Sequence, residues 1–525
     1  MQTTYTTSPS RVTRLWLLVP FIAISLFVLF ILLLPNLALQ DDAYITFRYS
    51  QNLVRGFGPV YNPGTPVEGY TNFLWMIIMA GVIKLNADPE YYARLFGIIS
   101  GAGLILLCWS YGAKFLKHRP LLTAIAPLLL VSIPGFVTES VEGLETSFFA
   151  FLLLGSLMTA VRDHERNRLV PWHAVLFALA SMTRPEGTMV FALAMACLLI
   201  HGWMNHGVRL GFMLRSFAVY ALIFVPYFLW RLSYYGYPFP NTFYAKTGGG
   251  AAQALRGLDY IGSFIGEFCW VPLPLALLIV LPRLKRDLAL FLCTVVTVVY
   301  MVYVALVGGD FKPTYRFLIP VAALACLIYQ AAVAEVCAFL ERRKPETARW
   351  CAPVFLILSL LIGMHVYLGS DELRKKYQKQ KLTVQQAMPD FTSRARAIGK
   401  WVREHAGPGD QLAISTAGAI AYFSDIPVID MLGLNDLHIA RSKPENFGSG
   451  MAGHECGDVE YVLSLQPRFI LLRTKIIKTP NPPKKILSDI AFERDLISAP
   501  AFKERYEAKT FPVFDCYGLI YCRKD

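Results

Sequence analysis

Long apolar runs recur through the first two thirds of this 525-residue chain. The first run covers about 24 residues, from 15 to 38, and follows Arg11 and Arg14. A helix of that length crosses a bilayer core of about 30 Å, because each helical residue adds 1.5 Å. A cleaved signal peptide is the competing interpretation, but its apolar stretch would be only about 7 to 15 residues long. The run therefore indicates a membrane anchor.

Ten further runs of similar character follow the first. They lie at about 91–113, 120–134, 147–161, 170–183, 188–203, 213–230, 269–282, 288–307, 317–340 and 351–368. The run at about 73–85 is short and flanked by polar loops, so we expect an interfacial helix there. The whole chain is only 17% charged, whereas soluble domains carry roughly 25% charged residues. The pattern predicts a polytopic α-helical membrane protein with about eleven transmembrane helices.

Basic residues cluster in every second loop between these runs. They are Lys114, Lys117 and Arg119; Arg162, Arg166 and Arg168; Arg209 and Arg215; Arg283, Lys285 and Arg286; and Arg342, Arg343, Lys344 and Arg349. A net charge of +13 suggests a nucleic-acid partner at first, since lysine and arginine neutralise backbone phosphates. Alternation between loops is instead what the positive-inside rule requires of cytoplasmic segments. We therefore expect a lipid bilayer around the chain, a cytoplasmic N-terminus and no nucleic-acid partner.

The remaining loops are longer, acidic and aromatic, and they fall on the outer face together with the charged tail after about residue 370. Functional residues concentrate in loops that a rigid scaffold presents. The sequence thus predicts a membrane module at 1–369, with a functional first outer loop at 39–90, and an outer domain at 370–525.

Two adjacent carboxylates, Asp41 and Asp42, open the first outer loop. One aspartate would be a good cap for a following helix. A second one beside it repels the first, which raises the pKa of one carboxyl and suits it to accept a proton. Paired carboxylates also suit Mg²⁺ or Mn²⁺, although no second acidic cluster in spacing supports a metal. Capping, catalysis and metal binding all stay open on the residues alone.

The acidic pair begins a segment with helical periodicity. Ile45, Tyr49 and Leu53 repeat at every fourth position, and Gly56 closes the segment. This pattern predicts an amphipathic helix that lies in the membrane interface. Tyr44 and Arg48 share another face of that helix, because they are four residues apart.

The other outer loops carry cations at or near the ends of apolar runs. These are Arg184, Arg231, Lys246 and Arg316, with the carboxylates Glu142, Glu145, Glu186 and Asp310 beside them. A single arginine at such a position is often an interfacial anchor. Four cations on one face indicate a cavity or a partner, because a charge at the centre of a span costs about 2.5–3.5 kcal/mol. Arginine binds phosphate oxygens bidentately, and lysine binds them as a point charge.

The spacing of apolar residues changes in the tail after about residue 370. Ile398, Trp401 and Val402 mark an amphipathic helix, and the strand-like QLAIS, the helix AGAIAYFS and the strand-like PVIDM follow it. Strand, helix, strand is typical of a small α/β domain with a partly parallel sheet. RFILL and the terminal VFDCYGLIYC predict further strands, the last a hairpin.

The loop after PVIDM carries Asp430, Asn435 and Asp436. Sheets of this kind bind ligands beyond the carboxyl ends of their strands. The same residue types are also good turn formers, so a ligand contact and a plain turn are both open.

Three of the ten cysteines, Cys456, Cys516 and Cys522, lie in the polar tail. An outer compartment permits disulfides, and either Cys516 pairs with Cys522 across the hairpin or Cys456 pairs with one of them; spacing does not decide. No nucleotide-binding glycine fingerprint is present, and GGGAA at 248–252 follows no strand, which predicts a flexible loop.

Six motifs in a fixed order carry a family resemblance. They are DDAYITFRYSQNLVRGFGPVYNPGTPVEGYTNFLW, VEGLETSFF, SMTRPEG, RLSYYGYPFPNTFYAK, GGDFKPTYRFLIP and VIDMLGLND. Over about residues 41 to 440 the chain resembles the mycobacterial terminal β-(1→2)-arabinofuranosyltransferase family and its Gram-negative relatives. These are glycosyltransferase C enzymes, so the resemblance implies that fold, a multi-pass location in a bacterial inner membrane and a periplasmic outer domain.

The resemblance also implies an activity and a site. The donor would be a polyprenyl-phosphate-linked sugar, with arabinofuranose as first choice, and the acceptor a cell-envelope glycan, lipid or protein. The base falls on Asp41 or Asp42, and the donor phosphate on Arg184, Lys246 and Arg316. The substrate contacts would come from Tyr44, Arg48, Glu68, Tyr70, Asn72, Glu145, Arg231, Asp310, Asp430, Asn435 and Asp436. No cofactor is required, although a divalent cation (Mg²⁺ or Mn²⁺) stays possible.

Two alternatives remain at this level. A transporter or flippase for polyprenyl-linked sugars would show internal repeats and mid-membrane polar residues, and the chain shows no self-similar halves. A mannosyl- or aminoarabinose-type transferase of the same superfamily would share the base and the phosphate site but use another acceptor.

Overall fold

The computed structural model describes residues 11–34, 38–116, 120–267, 272–312, 314–343, 346, 350–365, 391–473, 475–483 and 488–524. The expected domain boundary near 370, the basic residues Lys117, Arg119, Lys344 and Arg349, and Cys269 lie outside the described residues.

Helices dominate the first 365 residues. In chain order they are α1 (Arg11–Leu32), α2 (Asp41–Val54), α3 (Phe73–Lys84), α4 (Pro89–Phe115), α5 (Ile125–Val131), α6 (Pro134–Glu139), α7 (Thr146–Glu165), α8 (Trp172–Thr183), α9 (Glu186–Met204), α10 (Leu210–Tyr235), α11 (Asn241–Lys246), α12 (Gly250–Glu267), α13 (Pro272–Leu284), α14 (Leu288–Leu306), α15 (Ile319–Arg343) and α16 (Trp350–His365). Local chemistry sets their ends. Asp88 accepts the Glu90 N–H at 2.9 Å and precedes Pro89 at the first turn of α4, while Gly236 ends α10 with a φ of +79°.

Six described helices are long and apolar enough to cross a membrane, namely α4, α7, α9, α10, α14 and α15. They make the chain a multi-pass membrane protein. Shorter apolar helices occupy most of the other predicted runs. The run at 120–134 is not one helix, because a 3₁₀ turn at Pro120–Ala124 precedes the seven-residue α5, and Pro134 then begins α6. The number of eleven spans stays a prediction.

The predicted helix after Asp41 is present as α2, but its surroundings differ from the expectation. Nine of its residues are buried, on faces all around the helix. It packs between α3 on one side and the C-terminal region (residues 391–524) on the other. An amphipathic interfacial helix would keep a polar face in water, so that part of the expectation is wrong.

The C-terminal region begins with α17 (Phe391–His405) and holds one sheet among the described residues. Its strands are β1 (Leu412–Ile414), β2 (Val428–Asp430), β3 (Phe469–Leu471), β4 (Ile476–Ile477), β5 (Tyr506–Val513) and β6 (Cys516–Arg523), and its further helices are α18 (Ala419–Ser424), α19 (Val459–Ser464), α20 (Ala491–Ser498) and α21 (Pro500–Arg505). β1 pairs in parallel with β2 and β3, and β6 pairs antiparallel with β3, β4 and β5. The strand, helix and strand predicted for QLAIS, AGAIAYFS and PVIDM are therefore present. A terminal hairpin is present too, but it turns at residues 514–515, and nearly all of its first strand, β5, lies before the predicted segment.

Two sequence expectations fail in this region and beside it. Cys516 and Cys522 lie on the same strand, so about 20 Å of extended chain separates them, whereas a bridge needs Cα atoms within about 7 Å. Cys456, Cys516 and Cys522 are all buried, and none of the three forms a disulfide within the described chain. The segment 248–252 is not simply a flexible loop, because α12 begins at Gly250.

Candidate functional site

Loops and helix ends meet the C-terminal region at one end of the helix bundle, which we call the site end. The contributors are the start of α2, the segment between α6 and α7, the junction of α8 and α9, the end of α11, and the segment between α14 and α15. These are the loops that the sequence analysis expected on the outer face and in which it placed its candidate residues. Ion pairs that join distant parts of the chain hold them together, as follows.

Asp41 is tied to the C-terminal region. Its two carboxylate oxygens accept the N–H groups of Ala419 at 2.9 Å and Gly418 at 3.1 Å. A Cβ at Gly418 would lie 2.5 Å from Asp41 Cγ, so only glycine allows this approach. Burial raises the pKa of Asp41, and the charge of Lys475 opposes that shift. The carboxylate therefore serves to dock α18 onto α2.

Asp42 is held quite differently. Its Oδ2 accepts a hydrogen bond from Arg316 Nη1 at 2.8 Å, and 31% of its side chain is exposed. Burial alone would raise its pKa, but the charges of Arg316, Lys312 and Lys246 outweigh burial and lower it. At neutral pH Asp42 is an ionised and reachable carboxylate.

Arg316 bridges two acids. Its Nε lies 2.5 Å from Asp310 Oδ2, and Nη2 donates to Asp310 Oδ1 at 3.3 Å, while Nη1 bonds Asp42. The guanidinium is 8% exposed. Much of its hydrogen-bonding capacity is already used inside the protein.

Lys246, at the end of α11, lacks such partners. In the part of the chain that the structure describes, its ammonium makes no hydrogen bond and no ion pair, although Asp42, Asp310 and Arg316 are close enough to act on its charge. Burial, with the charge of Arg316, lowers the pKa of Lys246. An anion entering the site would meet an ammonium that no described side chain holds in a hydrogen bond or an ion pair.

Lys312 is a cation that the sequence analysis missed. Its ammonium lies 2.9 Å from Glu142 Oε2 and 3.4 Å from Glu139 Oε1, and it is almost fully buried. It stands two residues after Asp310 in the GGDFKPTYR motif, and that position is the signal that could have identified it.

Arg184, like Arg316, pairs with two carboxylates. Nη1 donates to Glu145 Oε1 and Nη2 to Glu186 Oε1, both at 2.9 Å. The second oxygen of Glu145 accepts from Asn72 Nδ2 at 2.8 Å. The predicted residues Arg184, Glu145 and Asn72 thus form one buried network that joins the first outer loop to α7.

A second buried network fixes the far part of the first outer loop. Arg231 on α10 pairs with Glu68 at 2.6 Å, and the hydroxyls of Tyr70 and Tyr235 lie 3.1 Å apart. These predicted site residues come together, and they anchor the loop to α10.

Tyr44 and Arg48 face the C-terminal region. The Tyr44 ring packs against Tyr422 and Phe423. Arg48 donates to the carbonyls of Tyr61 at 2.7 Å, Ile426 at 2.7 Å and Ala421. Both side chains therefore hold α2 in place.

The turn after β2 uses its polar groups internally. Asp430 accepts the N–H groups of Leu432 and Asn435 and the amide of Asn435. Asp436 caps His438 and Ile439 in the same way. Asn435 Oδ1 also accepts from the Tyr49 hydroxyl at 3.1 Å, which fastens the turn to α2.

The residues around Asp42 do not fit a divalent cation. Within the described ranges no three His, Cys, Asp or Glu side chains are grouped as metal ligands. Asp41 is committed to backbone N–H groups, and the three positive charges around Asp42 repel a further cation.

Comparisons with known proteins bear on this arrangement. Residues 377–519 match the family model described as domain of unknown function DUF8728. The chain is 28% identical over 268 residues to the terminal β-(1→2)-arabinofuranosyltransferase of Mycobacterium tuberculosis, covering 47% of this chain and 41% of that protein. It is 26% identical over 334 residues to the protein of the same name from Corynebacterium glutamicum, covering 54% and 47%. The predicted family resemblance is confirmed, and the chain spans less than half the length of these relatives.

Two solved structures share the fold along nearly the whole chain. ArnT from Cupriavidus metallidurans, bound to undecaprenyl phosphate, superposes with a TM-score of 0.56 at 14% identity, covering 97% of each chain. The archaeal oligosaccharyltransferase AglB from Archaeoglobus fulgidus, in complex with an inhibitory peptide and a dolichol-phosphate, superposes with a TM-score of 0.58 at 14% identity, covering 98% of this chain and 75% of its own. The predicted glycosyltransferase C type of fold is confirmed.

Proposed function

We propose that this protein is an integral-membrane glycosyltransferase that moves arabinofuranose from a polyprenyl-phosphate donor to a cell-envelope glycan, lipid or protein. The reaction takes place on the outer side of a bacterial inner membrane, with the N-terminus in the cytoplasm and the C-terminal region in the periplasm. The observation that carries the proposal is the reachable carboxylate of Asp42 among cations, on a fold shared with a polyprenyl-phosphate-bound structure.

Asp42 is the base in this proposal. Both carboxylate oxygens of Asp41 accept hydrogen bonds from backbone N–H groups, whereas part of the Asp42 side chain is exposed and can contact a substrate. In the transfer, the acceptor oxygen forms a bond to the anomeric carbon and the carbon–oxygen bond to phosphate breaks. The acceptor's proton passes to Asp42, and the electron pair leaves with the polyprenyl phosphate. General-base help of this kind is worth about 10²–10⁴-fold in rate.

Lys246 is the primary contact for the donor phosphate. Its ammonium has no partner within the described chain and is partly desolvated, so a phosphate would gain a charge-assisted hydrogen bond there without breaking an existing pair. Arg316 can add a second contact by shifting from Asp42. Arg184 is held by two carboxylates, so it supports the site without contacting the phosphate directly.

Donor binding also prepares the base. Arg316, Lys312 and Lys246 lower the pKa of Asp42, and a poorly basic carboxylate abstracts protons slowly. A bound phosphate offsets part of that positive charge and raises the pKa of Asp42. Asp42 therefore becomes an effective base only when the donor is bound.

The sugar is held by groups around this centre. Asp310 lies next to Arg316, and Glu145 lies beside Asn72, so both can accept hydroxyl hydrogen bonds after small shifts. Glu68, Tyr70 and Arg231 hold the first outer loop against α10. No metal is assigned a role.

Mass spectrometry of surface glycans, lipids and glycoproteins from a deletion strain tests the proposed function. Loss of an arabinofuranose from one class of molecule, restored by the wild-type gene and not by Asp42→Asn, is the expected result. Loss of the sugar together with accumulation of the polyprenyl-linked sugar on the cytoplasmic side would support transport instead, and an unchanged envelope would contradict the proposed function.

A further inference from the structure

A loop of the C-terminal region, residues 446–457, reaches the site end. Glu455 anchors it: Oε1 accepts the N–H groups of Gly448 at 2.7 Å and Gly450 at 2.8 Å. Glu455 Oε2 accepts from Arg256 on α12 at 2.8 Å, and Arg256 also donates to the Gly450 carbonyl at 2.8 Å. These bonds fix the loop to both the C-terminal region and the helix bundle.

The tip of this loop lies against the proposed phosphate site. Gly453 has a φ of +75°, and a Cβ there would sit 3.2 Å from Lys246 Cε. The ring of His454 meets Phe311 edge to face, with centroids 4.7 Å apart. Asp42 and Lys246 are close enough to act on the charge of His454. His454 thus follows the glycine that meets Lys246 and packs against the residue after Asp310, at the edge of the site that holds Asp42.

Nδ1 of His454 makes a hydrogen bond that fixes the chemistry of Nε2, which has no hydrogen-bond partner among the residues that the structure describes. Nδ1 lies 3.1 Å from the carbonyl oxygen of Ala452, and a carbonyl only accepts, so Nδ1 carries the hydrogen. Burial lowers the pKa of His454, with Arg473 and Lys246 adding to the effect and Asp42 opposing it. The ring is neutral at pH 7, which leaves Nε2 as a lone-pair acceptor.

We infer that His454 Nε2 accepts a hydrogen bond from a hydroxyl of the acceptor sugar, so that the loop 446–457 selects the acceptor. This inference rests on the proposed function. The hydroxyl that gives its proton to Asp42 must lie against Asp42, and the sugar that carries it then lies beside His454. The donor enters from the bilayer toward Lys246, whereas the loop belongs to the C-terminal region, on the side from which an envelope acceptor arrives.

Two substitutions of one residue test the inference. His454→Phe keeps a ring against Phe311 and removes both nitrogens, and His454→Gln restores an acceptor near the position of Nε2. The probe is a synthetic octyl arabinofuranoside, whose binding to the purified protein is measured by calorimetry and whose turnover is measured with a polyprenyl-phosphate arabinofuranose donor. His405→Phe, at an exposed ring that stacks on Trp401, is the matched control.

We expect His454→Phe to weaken acceptor binding about five- to tenfold, the effect of one lost hydrogen bond, with the KM for the donor unchanged. His454→Gln should recover part of the loss, and the control should match wild type. Equal acceptor affinity in His454→Phe and wild type, a parallel rise in both KM values, or no acceptor binding by wild type overturns the inference. Sugar transfer by the wild-type protein is measured separately from acceptor binding, and its absence counts against the proposed function.

Discussion

At the residue scale, neighbouring side chains of the same type do different work. Asp41 docks α18 through two backbone N–H groups, and Asp42 faces Arg316 and the open site. The sequence predicts that one of the pair is special, because adjacent carboxylates repel. It cannot say which one, since the deciding partners are hundreds of residues away along the chain.

The same limit applies to the cations. Arg184, Arg316 and Lys246 look equivalent in the sequence, yet the structure leaves Lys246 without a partner among the described residues and pairs the other two with carboxylates. His454 was missed entirely, because it stands in a glycine-rich stretch with no catalytic motif around it. Side-chain pairing across a fold is set by tertiary contacts that local patterns do not encode.

Lys246→Met tests the phosphate site. Removing the ammonium should raise the KM for the polyprenyl-phosphate donor about 10- to 100-fold, because a hydrogen bond to a charged group contributes about 1.5–3 kcal/mol. The KM for the acceptor should stay within about twofold of wild type. Lys443→Met is the matched control, since that lysine is exposed and bonds the Thr247 carbonyl. An unchanged donor KM would remove Lys246 from the proposed site.

At the element scale, α2 explains how the site is held. Its position, its start at the acidic pair and its end before Gly56 follow from the sequence, since periodicity and capping are local properties. Its burial on all faces does not follow from the sequence, because α18 and the segment up to Ile426 pack against it from the C-terminal region. The strands β1, β2, β3 and β6 were predictable for the same local reason, whereas β4 and β5 were not predicted. The run at 120–134 was predicted as one span, but proline spacing breaks it.

Arg48→Lys tests whether the stability of α2 depends on its contacts with the C-terminal region. Lysine keeps the charge but cannot reach three carbonyls at once, so buried acceptors lose their donors. We expect the folded state to lose about 2–4 kcal/mol, seen as a lower melting temperature by tryptophan fluorescence. Arg55→Lys is the control, since its pair with Asp425 is 39% exposed on the arginine side and should change stability by less than about 1 kcal/mol. Equal melting temperatures for the two variants would contradict this role of Arg48.

At the scale of the whole molecule, charge placement and function are two parts of one arrangement. Among the described residues, basic loops meet one another: Arg209 donates to the His164 carbonyl, Arg215 donates to Asn167, and Arg283 pairs with Glu335. The acidic pair and Lys246 meet the C-terminal region instead. Composition predicts a membrane protein, and the alternation of loops predicts its orientation. Neither shows that the C-terminal region closes over the site, which depends on contacts between the two ends of the chain.

Labelling from outside the cell tests that orientation. Cysteines introduced singly as Thr65→Cys, in the first outer loop, and His206→Cys, between α9 and α10, are both at exposed positions, and the native cysteines described in the structure are buried. A membrane-impermeant maleimide applied to intact spheroplasts should label the first variant and not the second. Permeabilised cells should label both. The reverse pattern would invert the proposed topology.

The most direct test of the central claim is sugar transfer by the purified protein in liposomes, with a polyprenyl-phosphate arabinofuranose donor and an arabinofuranoside acceptor. Wild type should form product, and Asp42→Asn should lower kcat by about 10²–10⁴-fold at an unchanged melting temperature. Asp41→Asn should lower the melting temperature and keep kcat within about tenfold of wild type, because that residue docks α18. Full transfer by Asp42→Asn would contradict the assignment of Asp42 as the base.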